Sequence, residues 1–138
     1  WHTRPSQHAS LRTLATAGVS GNQALRIAFR AHDDRFHHLF QPLFLDPGRY
    51  ELTGRVRTDN LETKGGLNWQ VRCLAPQSKL LATGPRFLAA PTWQDFALQV
   101  EVPVGCSYQQ LQLTSAGRLP FELKFTGDIW FDAMRVGG

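Results

Sequence analysis

Tyr50-Glu51-Leu52-Thr53-Gly54-Arg55-Val56-Arg57 is the stretch that decides the fold. Tyr50, Leu52, Gly54 and Val56 alternate with Glu51, Thr53, Arg55 and Arg57, so an extended backbone carries apolar or small groups on one side and polar ones on the other. Successive side chains of a strand point to opposite faces, and a period of two therefore marks a strand with one face in a core. A helix would scatter the same apolar residues around its circumference.

The period recurs on both sides of this stretch. Leu25, Ile27 and Phe29 alternate with Arg26, Ala28 and Arg30, and Leu67, Trp69, Val71 and Cys73 alternate with Asn68, Gln70 and Arg72. Phe96, Leu98, Val100 and Val102 follow the same rule, as do Leu111 and Leu113 among Gln110, Gln112 and Thr114, and Phe121, Leu123 and Phe125. Residues 37–45 and 128–136 extend the set, with a weaker candidate at Ser10–Thr16. Turn-forming residues interrupt the pattern at Ser20-Gly21-Asn22, Asp33-Asp34, Asp46-Pro47-Gly48, Gly65-Gly66, Thr83-Gly84-Pro85, Ala116-Gly117 and Thr126-Gly127-Asp128. No window of 11 or more residues has helical periodicity. The expected class is all-β: a two-sheet antiparallel β-sandwich of the jelly-roll type with about eight strands. Ala75–Pro91 has three prolines and no clear alternation, and is expected to cross between sheets or lie over an edge.

The chain of 138 residues is short for two independent cores and reads as one domain spanning 1–138. It opens on Trp1 with no initiator Met, which suggests a mature chain or a piece of a longer one. A hydrophobic fraction of 42% with 19% charged residues suits a packed core and excludes disorder and coiled coil. No apolar run reaches the roughly 18 residues of a membrane-spanning helix, so no membrane insertion is expected. The net charge of +4 is too small for a nucleic-acid footprint. Twelve of the fifteen cations are Arg, a group suited to bidentate capture of carboxylates or vicinal hydroxyls.

Cys73 and Cys106 lack CxxC spacing, and a zinc site would need two His from elsewhere. A disulfide is the simpler use of the pair and would imply an oxidising, extracytoplasmic compartment; two reduced buried thiols are the alternative. No GxSxG, HExxH, P-loop or GxGxxG occurs, and adjacent His37 and His38 on a strand would face opposite ways. Asp33, Asp34, Asp59 and Asp95 read as turn or strand-end carboxylates rather than catalytic groups. The expectation is a protein that is not an enzyme and requires no cofactor.

The polar side of the strands is more informative. Arg55, Arg57, Asn68, Gln70, Arg72, Gln110 and Gln112 bring amides and guanidiniums with few carboxylates, a set of paired donors and acceptors suited to a hydroxyl-rich chain. The bland reading is an ordinary solvated sheet face. Among the aromatic residues, Trp69 and Tyr50 share faces with Leu and Val and read as core, whereas Tyr108 and Trp130 are the candidates for stacking on a sugar ring.

Four motifs in order carry a family resemblance: Ser20-Gly21-Asn22-Gln23-Ala24-Leu25-Arg26-Ile27, Pro47-Gly48-Arg49-Tyr50-Glu51-Leu52-Thr53-Gly54-Arg55-Val56-Arg57, Thr92-Trp93-Gln94-Asp95-Phe96 and Ile129-Trp130-Phe131-Asp132. Together, over residues 20–136, they resemble the carbohydrate-binding modules of families 4 and 9, with their galactose-binding-like jelly roll. The resemblance implies that Trp93 is a packing residue and that Asp132 could hold a structural calcium with backbone carbonyls around Ser20 and Gly21, in keeping with the oxygen preference of that ion. The Asn-Gly-x-Phe-Glu opening of the family, whose Glu would join that site, is absent from the chain.

The leading expectation is a non-catalytic extracytoplasmic module that binds a poly- or oligosaccharide, an acidic one included. The rival is a structural or protein-interaction β-sandwich of a cell-envelope protein, docking other domains of its parent without binding sugar.

Overall fold

The computed structural model describes residues 2–3, 9–14, 24–32, 39–117 and 125–137. Ten strands occur among them: β1 (His2–Thr3), β2 (Ala9–Leu14), β3 (Ala24–His32), β4 (Leu39–Leu43), β5 (Gly48–Glu62), β6 (Leu67–Ala75), β7 (Lys79–Thr83), β8 (Gln94–Val102), β9 (Tyr108–Ser115) and β10 (Phe125–Gly137). They form two five-stranded antiparallel sheets, sheet A in the order β1-β4-β9-β6-β7 and sheet B in the order β2-β3-β10-β5-β8. This is the β-sandwich of the jelly-roll type that the alternation demands. Eight strands answer to the sequence pattern; β1 and β7 are additions, one at each edge of sheet A.

The core fills the space between the sheets. Leu25, Ile27 and Phe29 of β3, Leu52 and Val56 of β5, Phe96, Leu98, Val100 and Val102 of β8 and Ile129 and Phe131 of β10 face Leu67, Trp69 and Val71 of β6 and Leu111 and Leu113 of β9. Trp69 meets Phe131 edge-on at 5.1 Å between ring centres, and Phe87 meets Phe96 at 5.1 Å and Phe131 at 5.4 Å. Both sheets thus contribute to one aromatic cluster, in the edge-to-face geometry that aromatic quadrupoles favour. Opposite Phe96 stands Gly54, where a Cβ would meet the Phe96 ring at 2.7 Å.

Ala75–Pro91 is a correction in part. It does cross between the sheets, but it also contains β7, paired with β6 through Gln70 and Thr83. Beyond β7, Phe87 exchanges backbone hydrogen bonds with Leu67 (2.6 and 3.1 Å). Ala90 then joins Thr58: its carbonyl accepts from the Thr58 N–H (2.7 Å), and its own N–H donates to Thr58 Oγ1 (2.7 Å). The segment therefore ties the sheet A edge to β5 of sheet B.

Thr126-Gly127-Asp128 is a second correction. It is a bulge inside β10, with Gly127 at φ 95° against the backbone of Asn60, rather than a turn between two strands. Of the strand expected at Phe121–Phe125, only Phe125 lies within the described residues. Ser20, Gly21, Asp33, Asp34, His37 and His38 lie outside them.

Candidate functional site

Register divides the expected polar strip between the two outer faces of the sandwich. On sheet A, β6 and β9 set Asn68 opposite Thr114, Gln70 opposite Gln112 and Arg72 opposite Gln110. β4 lies against the other side of β9, with Phe40 opposite Gln112 and Pro42 opposite Gln110. Because Trp69, Val71, Leu111 and Leu113 are all buried between the sheets, the alternating Gln70, Arg72, Gln110 and Gln112 point outward and are half-exposed. Asn68 and Thr114 face the same way but are buried, at 7% and 6% exposure, and Asn68 Oδ1 has no hydrogen-bond partner.

Tyr108 closes one end of this face. Its ring lies 5.2 Å from that of Phe44, which is 76% exposed. The sequence reading named Tyr108 and missed Phe44. The missing signal was register: Phe44 follows Phe40 and Pro42 at intervals of two and so shares their face, next to β9.

Beneath that aromatic pair lies a second residue the sequence reading did not single out. Gln109 is fully buried, and its amide joins the segment after β4 to the loop that holds the disulfide. The Leu45 N–H donates to Gln109 Oε1 (2.8 Å), while Nε2 donates to the carbonyls of Cys106 (3.1 Å) and Leu45 (3.3 Å). Cys73 and Cys106 are disulfide-bonded, with Cα atoms 6.1 Å apart, and link the end of β6 to the loop before β9. The base under Tyr108 and Phe44 is thus fixed by a covalent bond and three hydrogen bonds.

Arg55, Arg57, Trp130 and Asp132 belong to the other outer face, that of sheet B. Trp130 stands between Arg26 and Arg57, whose guanidiniums lie 5.3 and 5.0 Å from its ring centre. Arg57 also lies 5.5 Å from the Trp93 ring, which makes Trp93 a half-exposed member of an Arg–Trp ladder and not the core packing residue that the resemblance implies. The reason is phase: Phe96 points inward, and Trp93 lies an odd number of residues away. Arg26 pairs with Asp128 (2.7 Å) and Arg55 with Asp95 (2.8 Å). The expected stacking ring and two expected ligand guanidiniums on this face are therefore already engaged within the protein.

Asp132 is buried, at 4% exposure, and lies opposite Arg55 in the pairing of β10 with β5. Among the described residues no three His, Cys, Asp or Glu side chains converge as a metal site, and the Ser20 and Gly21 carbonyls lie outside them.

No protein-family model matches the chain, and no curated protein matches it. Solved structures do. The CBM22-1 xylan-binding domain of Paenibacillus barcinonensis Xyn10C superposes with a TM-score of 0.60 at 15% identity, over 98% of this chain and 90% of its own. A family 4 carbohydrate-binding module gives 0.62 at 15% identity, over 95% and 79%. Tailspike protein 4 of bacteriophage CBA120 gives 0.66 at 15% identity, over 99% of this chain. These proteins share its fold. The chain spans only 18% of the tailspike fragment and 25% of a Clostridium thermocellum xylanase 10B fragment with CBM22-1 and GH10 modules, so in those two proteins the sandwich is one part of a larger chain.

Proposed function

We infer that the chain is a non-catalytic carbohydrate-binding module that takes an extended poly- or oligosaccharide on the outer face of sheet A. One observation carries the reading: Gln70, Arg72 and Gln110 stand in register on adjacent strands, and among the described residues their polar heads have no hydrogen-bond partner. Amide and guanidinium groups spaced two residues apart along a strand, and one strand apart across it, offer repeated donors and acceptors to a chain of hydroxyls. Phe44 and Tyr108 add a ring platform at the end of that row.

The carbohydrate-binding modules among the structural neighbours support this reading, as does the xylohexaose bound by the xylanase 10B fragment. The ordered motifs of the sequence, with a family 4 module among the neighbours, favour a relationship to families 4 and 9. The Cys73–Cys106 bond supports an extracytoplasmic location, where disulfides persist. A calcium at Asp132 would draw on backbone carbonyls around Ser20 and Gly21.

The test is a glycan panel screened with calcium and with chelator, using the native chain and the double variant Gln70→Ala/Gln110→Ala. Saturable binding is expected, together with a loss of about five- to hundredfold in the variant at an unchanged melting temperature. Each amide that hydrogen-bonds a ligand contributes about 0.5–1.5 kcal/mol, so two together contribute about 1–3 kcal/mol. A folded protein that binds nothing across the panel would leave the protein-interaction reading in its place.

A further inference from the structure

Charge narrows the ligand class further, on the footing of the carbohydrate-binding reading. Among the described strands, every Asp and Glu belongs to sheet B. Glu51, Asp59, Glu62, Asp95, Glu101, Asp128 and Asp132 all lie on strands of sheet B. The five strands of sheet A, with sequences HT, LFQPL, LNWQVRCLA, KLLAT and YQQLQLTS, contain no Asp or Glu.

The cations stand in different surroundings on the two faces. On sheet B, Arg26 and Arg55 are each paired with a carboxylate, Arg57 rests on two indoles, and the exposed Arg49 and Arg135 share their sheet with all the strand carboxylates, Arg49 opposite Glu101. On sheet A, Arg72 stands half-buried on β6, one strand in from the edge, between Gln110 on β9 and Leu80 on β7. Among the described residues it has neither carboxylate nor ring. A guanidinium over strands that carry no acid, and with no described neighbour to neutralise it, keeps its attraction for an external anion.

We propose that this face selects a uronate-bearing polysaccharide: Arg72 takes the sugar carboxylate through its two-pronged donor edge, and Gln70 and Gln110 bond hydroxyls of the flanking sugars. The planar fork of guanidinium matches the two oxygens of a carboxylate. The amides around it are neutral, which fits a chain carrying one charge among many hydroxyls. A densely sulfated chain would instead call for a cluster of cations.

The test uses the whole chain against three matched pairs of polymers: polygalacturonate, polymannuronate and glucuronoxylan, each beside its carboxyl-reduced neutral form, with dextran sulfate as a polyanion. Binding is measured by titration calorimetry for the native protein, Arg72→Gln, Arg72→Lys and Arg135→Gln, the last removing an exposed cation from sheet B. At least one uronate polymer is expected to bind about ten- to hundredfold more tightly than its reduced form, and this preference should weaken as salt is raised. Arg72→Gln should abolish the preference, Arg72→Lys restore part of it, and Arg135→Gln leave it intact.

Equal affinity for a uronate polymer and its reduced form, or a preference that survives Arg72→Gln, would overturn this proposal while the carbohydrate-binding reading stands. Dextran sulfate bound as tightly as the best uronate polymer would also overturn it, replacing selection with a general taste for polyanions. Silence toward every polymer, neutral and acidic, would overturn both.

Discussion

Gln109 illustrates how one buried polar side chain can tie two backbone segments together within a core. It is fully buried, yet its amide meets the Leu45 N–H and the carbonyls of Leu45 and Cys106. Gln109→Leu would keep the volume and strand these backbone groups in a dry site, where each unsatisfied group costs about 1–3 kcal/mol. A loss of roughly 2–4 kcal/mol is expected, read by calorimetry as a melting temperature lower by about 10 °C. The two tryptophans of interest divide just as sharply. Trp69 is 1% exposed and packs edge-on against Phe131 in the aromatic cluster, and Trp69→Ala should cost about 3–5 kcal/mol or prevent folding. Trp93 loses mainly its contact with Arg57, worth about 0.5–1 kcal/mol at a half-exposed site, so Trp93→Ala should fold and melt within a few degrees of the native protein. A Trp93→Ala protein that fails to fold would restore the packing role that the family resemblance implies. Nothing in the local composition around either indole separates them; only the parity of each position relative to its inward neighbours does.

At the level of elements, β10 shows what a period of two can and cannot reveal. Ile129 and Phe131 point inward and Trp130 outward, as their alternation requires. Gly127, by contrast, reads locally as a turn residue, and it becomes a bulge only because β5 passes beside it. A Cβ on Gly127 would come 2.1 Å from the Asn60 carbonyl oxygen, a backbone atom that cannot move aside alone, and the residue sits at φ 95°. Gly127→Ala should therefore cost about 2–4 kcal/mol, from the strained backbone and the collision together, and denaturant unfolding should show a lower midpoint with an unchanged slope. A neutral result would mean that β5 and β10 do not approach closely at the bulge. β7 escaped the sequence reading for the complementary reason. An edge strand with one neighbour leaves both its faces partly open, so Lys79-Leu80-Leu81-Ala82-Thr83 has no buried side to impose alternation.

Across the whole molecule, the alternation specified a sandwich and its inward residues, but the candidate face needed long-range pairing. Arg55 and Arg57 look as fit for a ligand as Gln70 and Arg72 when read along the chain, because both sheets turn a polar side to water. Pairing assigns the first two to β5 of sheet B, beside acids and indoles, and the other two to β6 of sheet A, beside amides. The disulfide is the one long-range link that residue spacing made plausible in advance, and it bears on the site as well as on the fold. It closes a loop with a sequence separation of 33 that contains β7, the crossing segment and β8. In the chain-entropy account such a loop stabilises by about 3–4 kcal/mol, so Cys73→Ser/Cys106→Ser should lower the melting temperature by roughly 10 °C. Its effect on binding should be graded. Gln70 and Gln110 are fixed by the ladder between β6 and β9, whereas Tyr108 and Phe44 rest on the end that Cys106 and Gln109 hold together. The double-serine variant, assayed below its melting point, should retain the hydrogen-bonded part of the interaction and lose the part that Tyr108→Ala also removes. Combining the two changes would then weaken binding no more than either alone. Full additivity would mean that the disulfide and the aromatic end act independently, and two free thiols in the denatured, unreduced native protein would remove the link altogether.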